Sequence, residues 1–139
     1  MAIDKIEHIG IAVKDLVAAN KVYESLLGSA PYKTEKVESE GVNTSFFKCG
    51  ASKIELLEAT NPNSAIAKFI EKRGEGVHHI AFAVDDIEAE ITRLISEGFV
   101  VLNEKPKKGA DNKIVAFLHP RSAHGVLVEL CQEIPSTEQ

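Results

Sequence analysis

Glu7-His8-Ile9-Gly10-Ile11-Ala12-Val13-Lys14-Asp15-Leu16 returns in the second half of the chain as His78-His79-Ile80-Ala81-Phe82-Ala83-Val84-Asp85-Asp86-Ile87. Further along each half, Lys53-Ile54-Glu55-Leu56-Leu57 is echoed by Leu127-Val128-Glu129-Leu130-Cys131. The interval from His8 to Glu55 nearly matches that from His79 to Glu129, so the repeated unit is a whole module. Each copy carries one histidine and one glutamate. A duplicated core that supplies imidazole and carboxylate donors in matched pairs is the pattern of a pseudo-twofold divalent-metal site.

Working outward, residues 6–13 alternate and are rich in β-branched side chains, which predicts a strand. Asp15 stands as the N-cap of a helix with Leu16, Ala19, Tyr23 and Leu26 at helical spacing, and Gly28 is placed to stop it. Two strands follow over 44–49 and 53–57, joined by Gly50-Ala51-Ser52, so the residues themselves read as a β-α-β-β unit. The second half predicts a strand over 77–84, then a helix capped by Asp86 with Ile87, Ile91, Leu94 and Ile95 inward and Gly98 at its end. Strands over 113–118 and 125–131 close it. A linking helix over 63–73 turns Ile66, Phe69 and Ile70 to one side. The expectation is an α+β fold in one domain spanning 1–139, with module 1 at about 4–60, module 2 at about 76–132, and a flexible polar tail at 133–139.

In each module the histidine opens the first strand and the glutamate lies inside the last. Side chains alternate across a strand, and a carboxylate on an apolar face is costly to bury unless it is paired or bound to a cation. His8, Glu55, His79 and Glu129 are therefore the candidate metal ligands. The repeat selects His79 over its neighbour His78, which points to the opposite face. His124 reads as a surface-loop residue.

The chain has 139 residues, 44% hydrophobic and 27% charged, enough to bury a core without disulfides or a structural metal. Cys49 and Cys131 show no zinc or redox spacing and read as reduced, buried thiols, as in an intracellular protein. Neither a signal peptide nor a run of apolar residues long enough to span a bilayer is seen, so the expected location is cytoplasmic. A formal net charge of −5 argues against nucleic acid as a partner. Lys105, Lys107, Lys108 and Lys113 still form a local basic patch able to meet an anionic ligand.

Three further stretches carry a finer likeness: Ser64-Ala65-Ile66-Ala67-Lys68-Phe69, then Gly76-Val77-His78-His79-Ile80, and above all Phe117-Leu118-His119-Pro120-Arg121-Ser122 followed by Gly125-Val126-Leu127-Val128-Glu129-Leu130, with Lys108-Gly109-Ala110 upstream. With the repeat, they resemble the vicinal-oxygen-chelate superfamily (the glyoxalase, bleomycin-resistance and dioxygenase group) over nearly the whole chain. Within it they look most like the methylmalonyl-CoA epimerases. The resemblance implies paired βαβββ modules forming a curled mixed sheet. It implies a divalent ion, Co²⁺, Mn²⁺, Ni²⁺ or Zn²⁺, held by His8, Glu55, His79 and Glu129.

The implied activity is epimerisation of an acyl-CoA, methylmalonyl-CoA, by removal and return of its C2 proton through a metal-stabilised enolate. Glu129 is implied as one base. Some members carry a glutamate just after a Gly-Val pair, but here Asn43 and Thr44 follow Gly41-Val42. Glu40 is taken as the second acid/base, with Glu38, Glu55 and metal-bound water as alternatives. Lys107 and Lys108 are candidates for the CoA phosphates, and His119 for a substrate contact. The rival activity is that of lactoylglutathione lyase (glyoxalase I), whose bacterial members share such a ligand set. An extradiol dioxygenase fits less well because a second carboxylate is present, and the intact ligands argue against a non-catalytic binding protein of this fold, a class that usually lacks them. Both modules lie on one chain, so the site is expected within it, with a homodimer left open.

Overall fold

The computed structural model describes residues 3–135. Its elements, in chain order, are β1 (Ile3–Ala12), α1 (Leu16–Leu27), β2 (Lys33–Val37), β3 (Val42–Cys49), β4 (Ser52–Ala59), α2 (Ala65–Arg73), β5 (Gly76–Val84), α3 (Ile87–Ser96), β6 (Lys107–Lys108), β7 (Lys113–Leu118) and β8 (Val128–Glu133), with 3-10 turns at Glu38–Glu40 and Pro120–Ala123. Two βαβββ modules in an α+β fold are the result. The described residues resolve into two compact units, one of 8–78 and the other of 3–7 together with 79–135.

In the unit His8–His78 the strands run β2-β3-β4-β1, antiparallel except for the parallel pair β4 and β1. Helix α1 packs on β3 and β4, where Val13, Phe47 and Leu56 are buried beneath Leu16, Ala19, Tyr23 and Leu27. Asp15 caps the helix by accepting from the Ala18 amide at 3.2 Å, and Gly28 ends it in the left-handed region. Leu26, expected inward, is exposed, because the stripe continues from Tyr23 to Leu27 instead. Ser64 caps α2 through the Ala67 amide.

In the other unit the strands run β5-β8-β7-β6, with β5 and β8 parallel and the remaining pairs antiparallel. Val84, Ile87, Ile91, Leu94, Ala116, Leu118 and Leu130 form its core, with Ile3 from the start of β1 packed against it. Asp86 caps α3 by accepting from the Ala89 amide, repeating the Asp15 arrangement. Ile95, expected inward beside Leu94, is instead exposed.

Two strands lack any apolar alternation. Lys33-Thr34-Glu35-Lys36-Val37 is a sheet-edge strand held by its backbone ladder to β3, and its charges keep that edge from recruiting other chains. The two-residue β6 pairs Lys107 with Val115 and Lys108 with Ile114. The last strand runs on to Glu133, and the Ile134 amide donates to the Asn112 carbonyl. Residues 136–139 of the expected tail lie outside the described residues. No helix among the described residues is long and apolar enough to cross a membrane.

Candidate functional site

The parallel pairing of β1 and β4 sets Gly10 beside Glu55 and His8 beside Lys53. Alternation then puts His8 and Glu55 on one face of the sheet, and their side chains meet, with Nδ1 3.1 Å from Oε2. Each residue is only 4% exposed. Across the antiparallel ladder, Phe46 stands directly opposite Glu55 and is fully buried.

The other unit repeats this arrangement. Parallel strands β5 and β8 set Ala81 beside Glu129, and His79 lies one alternation back on the same face. His79 Nε2 is 3.2 Å from Glu129 Oε1, and both residues are 6% exposed. Phe117 stands opposite Glu129 and meets the His79 ring edge-on, with centroids 6.1 Å apart. So the sequence repeat becomes a geometric one: small residue, glutamate and phenylalanine across three strands, with a histidine closing on the carboxylate. The two copies differ in which imidazole nitrogen faces it.

A buried carboxylate needs a cation or donors around it, and a buried imidazole beside it is suited to share a metal. In each unit the donor pair, an imidazole nitrogen with a carboxylate oxygen, fits borderline divalent ions better than hard ones such as Mg²⁺, which take oxygen ligands. The residues present therefore fit the expected ion. His78 turns the other way, as its position beside His79 requires, and meets Phe69 of α2 edge-on at 5.0 Å.

The remaining candidates sit on loops and edges. Glu40 ends the 3-10 turn after β2 and is half-buried. Gly41 follows with φ of +64°, its carbonyl accepting from the Thr60 amide at 2.8 Å. A Cβ there would come 2.7 Å from Asn61 Nδ2, so glycine fixes how the chain leaves Glu40. Register places Lys107 on the face of Val115, which is also that of Phe117 and Glu129, and Lys108 on the opposite face with Ile114; both are exposed. Lys113, counted in the basic patch, is buried and its ammonium donates to the Asp111 carbonyl at 3.2 Å, with the Asp111 carboxylate 3.7 Å away.

His119 follows the end of β7, two residues past Phe117, and opens the 3-10 turn at Pro120–Ala123. Its Nδ1 accepts from the Arg121 amide at 3.0 Å, which holds the ring and makes Nε2 the N–H donor of the neutral imidazole. His124 is exposed and left-handed, the surface residue expected of it. Cys131 is buried, but Cys49 is exposed at the end of β3, contrary to its expected burial. Pattern reading also passed over Phe46 and Phe117 as partners of the glutamates. Their equal distance from Glu55 and Glu129 along the two ladders is visible only once the strands are paired.

Residues 7–117 match the Glyoxalase/Bleomycin resistance protein/Dioxygenase superfamily. An uncharacterized protein of Bacillus subtilis, YqjC, is 40% identical over 93% of this chain and 92% of its own length. The ethylmalonyl-CoA/methylmalonyl-CoA epimerase of Cereibacter sphaeroides is 42% identical over 94% of this chain and 98% of its own. A methylmalonyl-CoA epimerase solved in complex with methylmalonyl-CoA and NH4+ superposes with a TM-score of 0.91 at 39% identity, covering 95% of this chain and 96% of that one.

Proposed function

Because the chain belongs to the glyoxalase/bleomycin resistance protein/dioxygenase superfamily, we propose that it is a divalent-metal-dependent isomerase that interconverts (R)- and (S)-methylmalonyl-CoA. The observation that carries this reading is its near full-length likeness, at 39% identity, to an epimerase solved with that thioester. The buried His8–Glu55 and His79–Glu129 pairs support it, since the reaction needs a cationic centre and an acid/base carboxylate.

In this reading His8, Glu55, His79 and Glu129 hold one ion. Bound there, the ion supplies Lewis-acid stabilisation of the negative charge that develops on the substrate oxygens. The C2 proton lies between two carbonyl groups, so the chain has to provide a base within hydrogen-bond reach of it. Glu129, a buried carboxylate beside His79, takes that role on one face. Inversion requires a proton to return from the other face, and Glu40 provides it. The exposed Lys107, on the Glu129 face, and Lys108 meet the CoA phosphates. His119, its ring fixed through Nδ1, donates from Nε2 to a substrate oxygen. No redox cofactor is required.

Proton NMR of racemic methylmalonyl-CoA in D₂O with metal-loaded protein tests the proposal. The expected result is metal-dependent loss of the C2 proton signal, abolished in His79→Ala. Absence of exchange with metal-replete protein overturns it. Turnover of the hemithioacetal of methylglyoxal and glutathione, without C2 exchange, assigns the lyase instead.

A further inference from the structure

Thr44, in the middle of β3, is fully buried, and its hydroxyl oxygen has no hydrogen-bond partner among the described residues. Burying a hydroxyl without a partner costs free energy, so its presence calls for a group that pairs with it. The ladder to β4 sets Thr44 opposite Leu57 and Phe46 opposite Glu55. By alternation Thr44, Phe46, Glu55 and Leu57 share one face, and the orphan hydroxyl therefore stands diagonally across from Glu55.

The second module shows what the fold alone demands at this place. There Phe117 stands opposite Glu129, and two residues earlier Val115 stands opposite Cys131, so Val115 is the counterpart of Thr44. Val115 is buried in an apolar cluster with Ala81 and Cys131. Valine has nearly the shape of threonine without the hydroxyl. Packing at this position is therefore met by valine in one copy, and the hydroxyl in the other answers a different need. Ser45, the next residue, offers an internal comparison. Its hydroxyl is likewise buried without a partner, but it faces the α1 side with Phe47 and is paired opposite Leu56.

We propose that Thr44 is a substrate-positioning residue whose hydroxyl donates a hydrogen bond to an anionic oxygen of a 2-carboxyacyl thioester held on the Glu55 face. The assignment rests on the proposed reaction, and goes beyond it by giving one module a substrate contact that the other lacks. A hydroxyl donor stays neutral as charge shifts between the thioester and carboxylate oxygens, so it orients either without competing for the C2 proton.

The test compares metal-loaded wild type with Thr44→Val, Thr44→Ser and Ser45→Ala, reading C2 exchange of methylmalonyl-CoA by NMR, calorimetric binding of methylmalonyl-CoA and of isobutyryl-CoA, bound metal and Tm. Thr44→Val is expected to lose on the order of 10- to 100-fold in kcat/KM, the worth of one hydrogen bond to a charged group. Metal content and Tm hold, Thr44→Ser stays within a few-fold of wild type, and Ser45→Ala is unchanged. Weaker binding of methylmalonyl-CoA alone identifies the free carboxylate as acceptor; weaker binding of both thioesters identifies the thioester oxygen. Wild-type exchange with an equally active and equally tight-binding Thr44→Val overturns this assignment alone, as does a loss that follows a fall in Tm or metal content. A wild type that shows no exchange removes the proposed reaction and this assignment with it.

Discussion

Glu129 is asked to do two things, hold an ion and move a proton, and the two can be separated. Glu129→Gln keeps the shape of the side chain and an oxygen to face His79 across 3.2 Å, but loses the negative charge and the basicity. The expected outcome is a fall in C2 exchange of about 10²- to 10⁴-fold, the usual worth of a positioned base, with the far-ultraviolet circular dichroism spectrum unchanged. Full activity in this variant removes Glu129 from both roles. The pair itself was readable because a histidine and a glutamate recur in register in the two halves, and because the repeat picks His79, the residue aligned with His8, from His78-His79. Glu40 had no such support, because it lies in a turn whose geometry no periodicity encodes.

Elements were legible where their chemistry is local. Asp15 and Asp86 announce their helices, and the cap bonds to Ala18 and Ala89 follow from the residue type alone. What escaped notice depends on partners distant in sequence. β2 is a strand because β3 offers it a ladder, and Leu26 and Ile95 are exposed because the sheet beneath each helix meets a narrower stripe than the spacing suggests. Gly41 belongs at this scale, since it joins the Glu40 turn to β3. Ala at φ of +64° costs about 1–2 kcal/mol, and its Cβ would press on Asn61 Nδ2 at 2.7 Å. Gly41→Ala is expected to lower stability in urea by about that amount and to slow C2 exchange by displacing Glu40. Loss of stability with unaltered exchange would take Glu40 out of the mechanism.

At the scale of the molecule, the duplication divides the proposed ligands equally: one His–Glu pair in each compact unit. Two arrangements share that sequence, and they differ in stoichiometry. If the four residues act together, each chain binds one divalent ion tightly. Losing either histidine then weakens binding for the whole site, since a borderline ion left with three ligands forfeits both a donor and its closed geometry. If each pair acts alone, the chain binds two ions weakly, and His8→Ala spares the site at His79. Titration of metal-free protein with Co²⁺, read by its absorption, decides between them. The expected result is one ion per chain, with both His8→Ala and His79→Ala binding more weakly. The same ion stabilises the fold by mass action, by about 2.7 kcal/mol when free metal stands a hundredfold above Kd. Chelation of wild type should therefore lower Tm and abolish C2 exchange together, and added Co²⁺ should restore both. Two equivalents bound, or a His8→Ala variant that keeps full affinity, would show two separate half-sites and remove the four-ligand centre on which the proposed reaction depends.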